Sequence, residues 1–325
     1  MKKTTFIGMD ISKTTVDICI HEEENYIFHC IENEPKALRR FFKPFKTQSL
    51  TLGMENTGRY NFALYDILPE FSFAVYVINP LHIKRSMGLV RGKNDKIDSK
   101  RITLFLEKNH QDLTLWKPLS KTLHKIKFLN TERRHRVKIR AGILAQLADK
   151  EFVSIMADKQ LQKWNKDLLK VLDKQIAELE QKLMALIQED ETLKDQYKRM
   201  QSIPGVGKVL ALNMLIKTNG FSEITTARQM ACYAGVVPFE YQSGSSINRR
   251  PKVSHMADKE LKKLLHLGAM SAIRLENDLA QYFKRKVSEG KNKMSVLNAV
   301  RNKIIHRIYA LIKKQNYYQN NFEVS

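Results

Sequence analysis

Four carboxylates stand where a chain would place metal ligands. Asp10 closes the apolar run FIGMDI two residues after Gly8, and Glu55 closes SLTLGME in the same manner. Asp95 and Asp98, in KNDKIDSKR, are spaced i,i+3, which puts both on one face of a helix. Acids gathered in one place repel each other unless cations neutralise them, and hard oxygen donors of this kind suit Mg²⁺ or Mn²⁺. Two such ions about 4 Å apart activate an attacking oxygen and stabilise a leaving one in phosphoryl transfer. Taken singly, each acid also reads as a turn, cap or surface residue. Together, a strand-borne Asp, a strand-end Glu and a helical Asp-x-x-Asp point to a metal-dependent nuclease site. Lys93, Lys96, Lys100 and Arg101 surround the last pair; they either hold substrate phosphates or line a solvated helix face.

Two further segments carry possible chemistry. In IPGVG, Gly205 and Gly207 precede Lys208 and an apolar helix. Such a turn lets backbone N–H groups approach a phosphate, as in helix-hairpin-helix modules, or serves as a plain hinge. In YQSGSSINRRPKVSH, Ser243 precedes Gly244 in a small-residue loop followed by Arg249, Arg250 and Lys252. A serine hydroxyl is a poor nucleophile unaided, but nearby cations stabilise its oxyanion and the phosphate it attacks. Composition alone makes such a serine a turn former.

These residues need a scaffold. From Thr4 to about Asn109, apolar runs and period-2 alternation give three consecutive strands, FIGMDI, TTVDICIHE and NYIFHCI, then helix, strand, helix, strand, helix. The order βββ-α-β-α-β-α implies a mixed-sheet α/β domain over residues 1–117, the order shared by ribonuclease-H-like nucleases. Residues 118–200 turn to Leu, Lys, Glu and Gln. Leu169, Leu172, Ile176, Leu179, Leu183, Leu186 and Leu193 follow 3-4 spacing broken at Asp190, and Leu123 to Leu147 is an earlier helix, so an antiparallel helical hairpin is expected, either a coiled-coil arm that joins protomers or a spacer or bundle with its own core. Residues 201–325 read as a mainly α C-terminal domain with Gly/Ser loops, ending in the basic helix KMSVLNAVRNKIIHRIYALIKKQ and a polar tail expected to fray.

The whole chain of 325 residues carries 56 Lys+Arg against 34 Asp+Glu, a net charge of +22 with pI near 9.8. More than half of that surplus lies in the last 125 residues, where 20 Lys+Arg face 8 Asp+Glu. The natural partner of such a field is a polyanion, and nucleic acid fits best. Apolar residues at 43%, with only 13 Gly and 8 Pro, exclude collagen-like and disordered classes. No run of about 18 apolar residues spans a membrane, and the N-terminus lacks the apolar core of a signal peptide. Cys19, Cys30 and Cys232 lack zinc or disulfide spacing, so a reducing cytoplasm, in contact with the nucleoid, is the expected compartment.

GMDIS, GMENTGRY, INPLHIKR and GKNDKIDSKRI, with SIPGVGKVLA, ACYAGVVP, SGSS and GKNKMSVLNAV, closely resemble the DEDD-type insertion-sequence transposases. This is insertion-sequence family one hundred and ten, which includes the pilin-gene inverting recombinases, and the match runs from about Phe6 to Lys314. The resemblance implies a RuvC-like nuclease domain, a coiled-coil arm, and a C-terminal transposase domain with an essential serine. Carried over by motif, the acids are Asp10, Glu55, Asp95 and Asp98, the serine is Ser243, and the cofactor is Mg²⁺ or Mn²⁺. The serine would attack a DNA phosphate to form a covalent phosphoserine link, with halves of the site supplied by different protomers of a homo-oligomer, a dimer or tetramer. The family also implies two nucleic-acid partners: donor and target DNA, and a structured non-coding RNA that guides pairing. One departure stands out. Where the family has a Gly-Asn pair before Leu-Arg, this chain has Ala257, Asp258 and Lys262. Ser245 and Ser246 also neighbour Ser243.

Other classes make different demands. A junction-resolving nuclease would cut with metal-activated water and leave no protein–DNA adduct. An actin-like kinase shares Gly-x-Asp-x-Ser near the N-terminus but needs a second Gly-rich phosphate segment, which this sequence lacks. For a non-catalytic scaffold the acids would be incidental.

Overall fold

The computed structural model describes residues 5–86, 94–118, 120–148, 158–243, 247–253 and 256–320. The chain forms two compact units, Met1–Pro118 and Leu119–Ser325.

In the first unit, β1 (Thr5–Ile11), β2 (Thr15–Glu22) and β3 (Asn25–Glu32) make an antiparallel meander. β4 (Leu50–Glu55) and β5 (Ala74–Ile78) add in parallel on the other side of β1, giving the order β3-β2-β1-β4-β5. The sheet is mixed, as the strand order in the sequence implies. Period-2 alternation sorts each strand between two layers. Ile7, Met9, Ile11, Val16, Ile18, Ile20, Leu50, Leu52 and Met54 bury against α1 (Pro35–Phe42) and α2 (Phe62–Ile67), whose Leu38, Phe42, Leu64 and Ile67 are fully covered. The opposite face takes α3 (Pro80–Ser86) and α4 (Asp95–Asn109), with Ile83, Ile102, Phe105 and Leu106 packed on Tyr76, Ile78 and Phe6.

Helix α4 lies very close to the sheet because Gly8 and Gly53, paired across β1 and β4, leave a floor without side chains. A Cβ on Gly8 would stand 2.4 Å from the Thr103 nitrogen and 2.5 Å from the Ser99 carbonyl, and one on Gly53 would meet the Leu106 side chain at 3.0 Å. Thr103 Oγ1 donates across this contact to the Cys19 carbonyl at 3.1 Å.

Among its described residues the second unit is helical apart from one ribbon. α5 (Lys121–Ala148) and α6 (Lys159–Glu189) run antiparallel: Arg133 pairs with Glu180, Arg136 bonds Gln175 and Arg140 pairs with Asp173. Asp190 ends α6 and accepts from the Leu193 N–H to cap α7 (Glu191–Gln201), the break foreseen in the leucine spacing. The near ends of α5 and α6 contribute Leu123, Ile126, Leu183 and Ile187 to a core shared with α7, α8 (Lys208–Thr218), α9 (Ala227–Tyr233), α10 (Lys259–Ala272), α11 (Asp278–Ser288) and α12 (Lys293–Lys314). The C-terminal tail does not fray as far as Asn320. The Tyr318 N–H donates to Ser202 Oγ at 2.8 Å, its hydroxyl donates to Asp278 at 2.7 Å, and Asn320 donates to the Glu276 carbonyl at 3.2 Å. No helix among the described residues is long and apolar enough to cross a membrane.

Candidate functional site

The acids predicted from spacing lie near enough to one another that the charges of Asp98, Glu55 and Asp95 act on Asp10. Asp10 lies two residues beyond Gly8 on β1, and Glu55 two beyond Gly53 on the adjacent β4, so the shared register brings their strand ends side by side. Asp95 and Asp98 occupy the first turn of α4, whose N-cap Asn94 accepts from the Ile97 N–H at 2.7 Å. Carboxylates suit the positive end of a helix dipole.

Electrostatics registers the convergence. The Asp10 carboxyl is pushed up to about 6, first by burial and then by the negative charges of Asp98, Glu55, Asp95 and Asp17. Asp17 is a fifth acid that motif reading passed over. It pairs with Asp10 across the β1–β2 hairpin, and its own carboxyl is held up by burial and by Asp95, against a hydrogen bond from Cys30. Its signal was available: a three-residue connection fixes the antiparallel register, and residues opposite each other share a face.

Asparagines hold the backbone beneath these acids. Asn61 is fully buried; its Nδ2 donates to the Glu55 carbonyl at 2.9 Å, and its Oδ1 accepts from the Thr57 N–H at 3.1 Å and the Thr57 hydroxyl at 2.5 Å. This fixes where β4 stops. Asn33 Nδ2 donates to the carbonyls of Ser12 and Tyr60, both at 2.9 Å, and so ties the β1–β2 turn to the segment after Glu55.

The flanking cations separate into different roles. Arg101 donates to Asp98 at 2.6 Å. Lys96 lies 4.5 Å over the Phe28 ring and Lys100 3.9 Å over Tyr26, so both ammonium groups rest on aromatic faces of β3. Lys93 falls outside the described residues.

The donor set is all carboxylate oxygen, the chemistry of Mg²⁺ and Mn²⁺ sites, and beyond the effect of burial the Asp10 carboxyl is raised by neighbouring negative charge that a cation would relieve. Among the described residues no group of three or more acids, His or Cys already stands at ligating distance of one point. The residues therefore suit a divalent ion by donor chemistry, but as placed they do not form a metal-holding group.

The remaining predicted residues belong to the second unit. Gly205, at φ +85°, faces α10. A Cβ there would stand 2.1 Å from the Gly268 carbonyl, so this glycine serves close packing of turn on helix. Gly207 caps α8 with open space around it, and Lys208 beside it is exposed. The segment read as a serine loop is a two-stranded ribbon, β6 (Pro238–Ser243) and β7 (Ile247–Val253), with Ser243 at the end of β6 paired with Ile247. Arg249, Arg250 and Lys252 lie on β7. Ser245 and Ser246 fall outside the described residues.

Comparison with known proteins gives the class. A transposase model of the DEDD type found in IS110 elements matches residues 7–149, and the model described as "Transposase IS116/IS110/IS902 family" matches residues 197–284. The acids fall in the first match and Ser243 in the second. The pilin gene-inverting proteins of Moraxella bovis and Moraxella lacunata are each 26% identical over 319 residues, covering 95% of this chain and 96% of their own. The transposase for insertion sequence element IS1111A of Coxiella burnetii is 23% identical, covering 98% of this chain and 92% of its own. The chain belongs to the IS110 family of transposases.

Proposed function

We propose that this chain is an RNA-guided DNA recombinase that cuts and rejoins strands by phosphoryl transfer. The observation that carries the reading is the Asp10 carboxyl, half-buried on a strand next to the Glu55 strand end and raised first by that burial and then by Asp98, Glu55 and Asp95, acids distant in sequence. The strand order β3-β2-β1-β4-β5, with acids on β1, β4 and the crossing helix, supports a ribonuclease-H-like, RuvC-like nuclease domain. In this reading Asp10, Glu55, Asp95 and Asp98 hold Mg²⁺ or Mn²⁺, which when bound supplies charge stabilisation to the transferring phosphate. Lys96, Lys100, Arg101, Gly207, Lys208, Arg249, Arg250 and Lys252 contact nucleic-acid phosphates.

Ser243 attacks a DNA phosphorus: the Oγ–P bond forms as a P–O bond of the strand breaks, and the released DNA hydroxyl takes up a proton. A hydroxyl of a second strand then attacks the phosphoserine, restoring a phosphodiester and freeing the serine, so no outside energy is needed. The α5–α6 hairpin acts as a coiled-coil arm joining protomers, residues 1–117, 118–200 and 201–325 divide the work as nuclease, arm and transposase parts, and the protein acts in the cytoplasm on nucleoid DNA. Family likeness supports the structured non-coding RNA as guide.

The test is a denaturing gel of full-length protein incubated with DNA carrying the ends of its own element, the co-purified RNA and Mg²⁺. A covalent adduct is expected with the wild type and none with Ser243→Ala or Asp10→Ala. An adduct that persists in Ser243→Ala excludes that residue as nucleophile, and cutting without any adduct assigns the attack to water.

A further inference from the structure

Among the described residues the ribbon β6–β7 forms a two-stranded sheet of its own. A lone pair of strands is only marginally stable, so its direction depends on how its two feet are held. A polar network grips each foot.

On the entry side, the buried Val236 carbonyl, two residues before β6, accepts from Asn298 Nδ2 on α12 at 2.7 Å. The Asn298 amide is itself oriented. Its Oδ1 accepts from Arg301 Nη1 at 3.3 Å, one turn along the same helix, and Arg301 Nη2 lies 2.6 Å from His266 Nδ1 on α10. Arginine only donates, so Nδ1 is the acceptor and the imidazole is neutral. Arg301 is nearly buried and, among the described residues, forms no ion pair. Burying a guanidinium against an amide and an imidazole costs desolvation that packing alone would not require. Its hydrogen bonds aim the Asn298 donor.

On the exit side, Asp258, five residues after β7, is fixed by four bonds. Its N–H donates to the Tyr233 carbonyl at 2.9 Å. Its Oδ1 caps α10 by accepting from the Leu261 N–H at 2.8 Å, and its Oδ2 accepts from Lys217 Nζ at 2.7 Å and the Tyr233 hydroxyl at 3.1 Å. Burial pulls this carboxyl up, but the Leu261 N–H and Lys217 pull it further down, so it is held charged. Asp258 is one of the positions where this chain departs from the family's Gly-Asn pattern. An amide there could cap the helix and meet the tyrosine, whereas only a carboxylate also forms the ion pair with Lys217.

We propose that Asn298, aimed by Arg301 and His266, and Asp258, locked by Lys217 and Tyr233, are positioning residues that clamp the two feet of the ribbon and thereby set where Ser243 is presented. The catalytic consequence rests on Ser243 being the nucleophile; the clamp does not.

Two variants of the full chain separate these claims. Asn298→Asp keeps size and acceptor but removes the donor to Val236, and Asp258→Asn keeps the cap but removes the charge. Amide hydrogen exchange should speed up by about tenfold in Pro238–Ser243 and Ile247–Val253 while α10 and α12 keep their protection, the scale expected for one lost hydrogen bond. Single-turnover cutting of a plasmid carrying the element's ends should fall by about tenfold or more with affinity for that plasmid unchanged. Unchanged ribbon exchange in both variants, or loosening spread equally over α10 and α12, would overturn the clamp. A wild type that cuts without a serine adduct defeats the nucleophile reading alone, because the exchange result still decides the clamp.

Discussion

Asp10 is the residue on which the first unit turns, and its environment sets a sign that can be measured. Its carboxyl rises from 3.8 to about 6 on folding. The folded protein therefore binds that proton more tightly than the unfolded chain, and stability is lost as pH rises from about 4 through about 6, then stays level. In metal-free protein, Asp10→Asn should raise the melting temperature by a few degrees at pH 7.5, where the wild-type acid is charged, and by only about a third as much at pH 4.5, where little of the window between about 4 and about 6 has been crossed. Calorimetry at the two pH values decides this; an equal shift at both would mean that the raised Asp10 carboxyl is not the cause. Asp17 shows why motif reading found four acids and the fold presents five. Its only signal is hairpin register, a property of two segments taken together. Asn61 was equally silent, because a buried amide that satisfies a strand end has no spacing of its own.

At the scale of elements, the approach of α4 to the sheet decides whether the Asp-x-x-Asp turn can face Asp10. Gly8→Ala places a methyl against backbone atoms of Ser99 and Thr103, so the helix must lift. A loss of about 3 kcal/mol in urea unfolding is expected, together with a lower Asp10 pKa as the helical acids recede. A neutral effect on stability would show that the floor tolerates a side chain. The five strands and the leucine-spaced helices were legible because alternation and 3-4 spacing are local. The β6–β7 ribbon was not. Residues 238–253 lack the apolar alternation of a half-buried strand, and the Gly244, Ser245, Ser246 run reads as loop. Gly205 was read for phosphate approach, but its nearest neighbour is Gly268, 63 residues further along, which no local pattern could show.

For the whole molecule, the division into two units sets what can fold alone. Leu123, Ile126, Leu183, Ile187, Leu193, Tyr197 and Met200 all enter the core that also holds α8 to α12. A fragment of residues 119–325 should unfold cooperatively, whereas residues 201–325 alone should lose that behaviour, as near- and far-ultraviolet dichroism on heating would show. A cooperative short fragment would mean that the helical hairpin adds nothing to that core. The surplus of 22 positive charges explains attraction to nucleic acid, but cutting requires the opposite charge gathered in one place. Electron paramagnetic resonance of Mn²⁺ titrated into full-length protein measures that most directly. Protein-bound Mn²⁺ is expected, its affinity falling at least about tenfold in Asp10→Asn and in Asp98→Asn, and Mg²⁺ should displace it. Mn²⁺ that stays free, or binds equally well to both variants, would contradict that expectation.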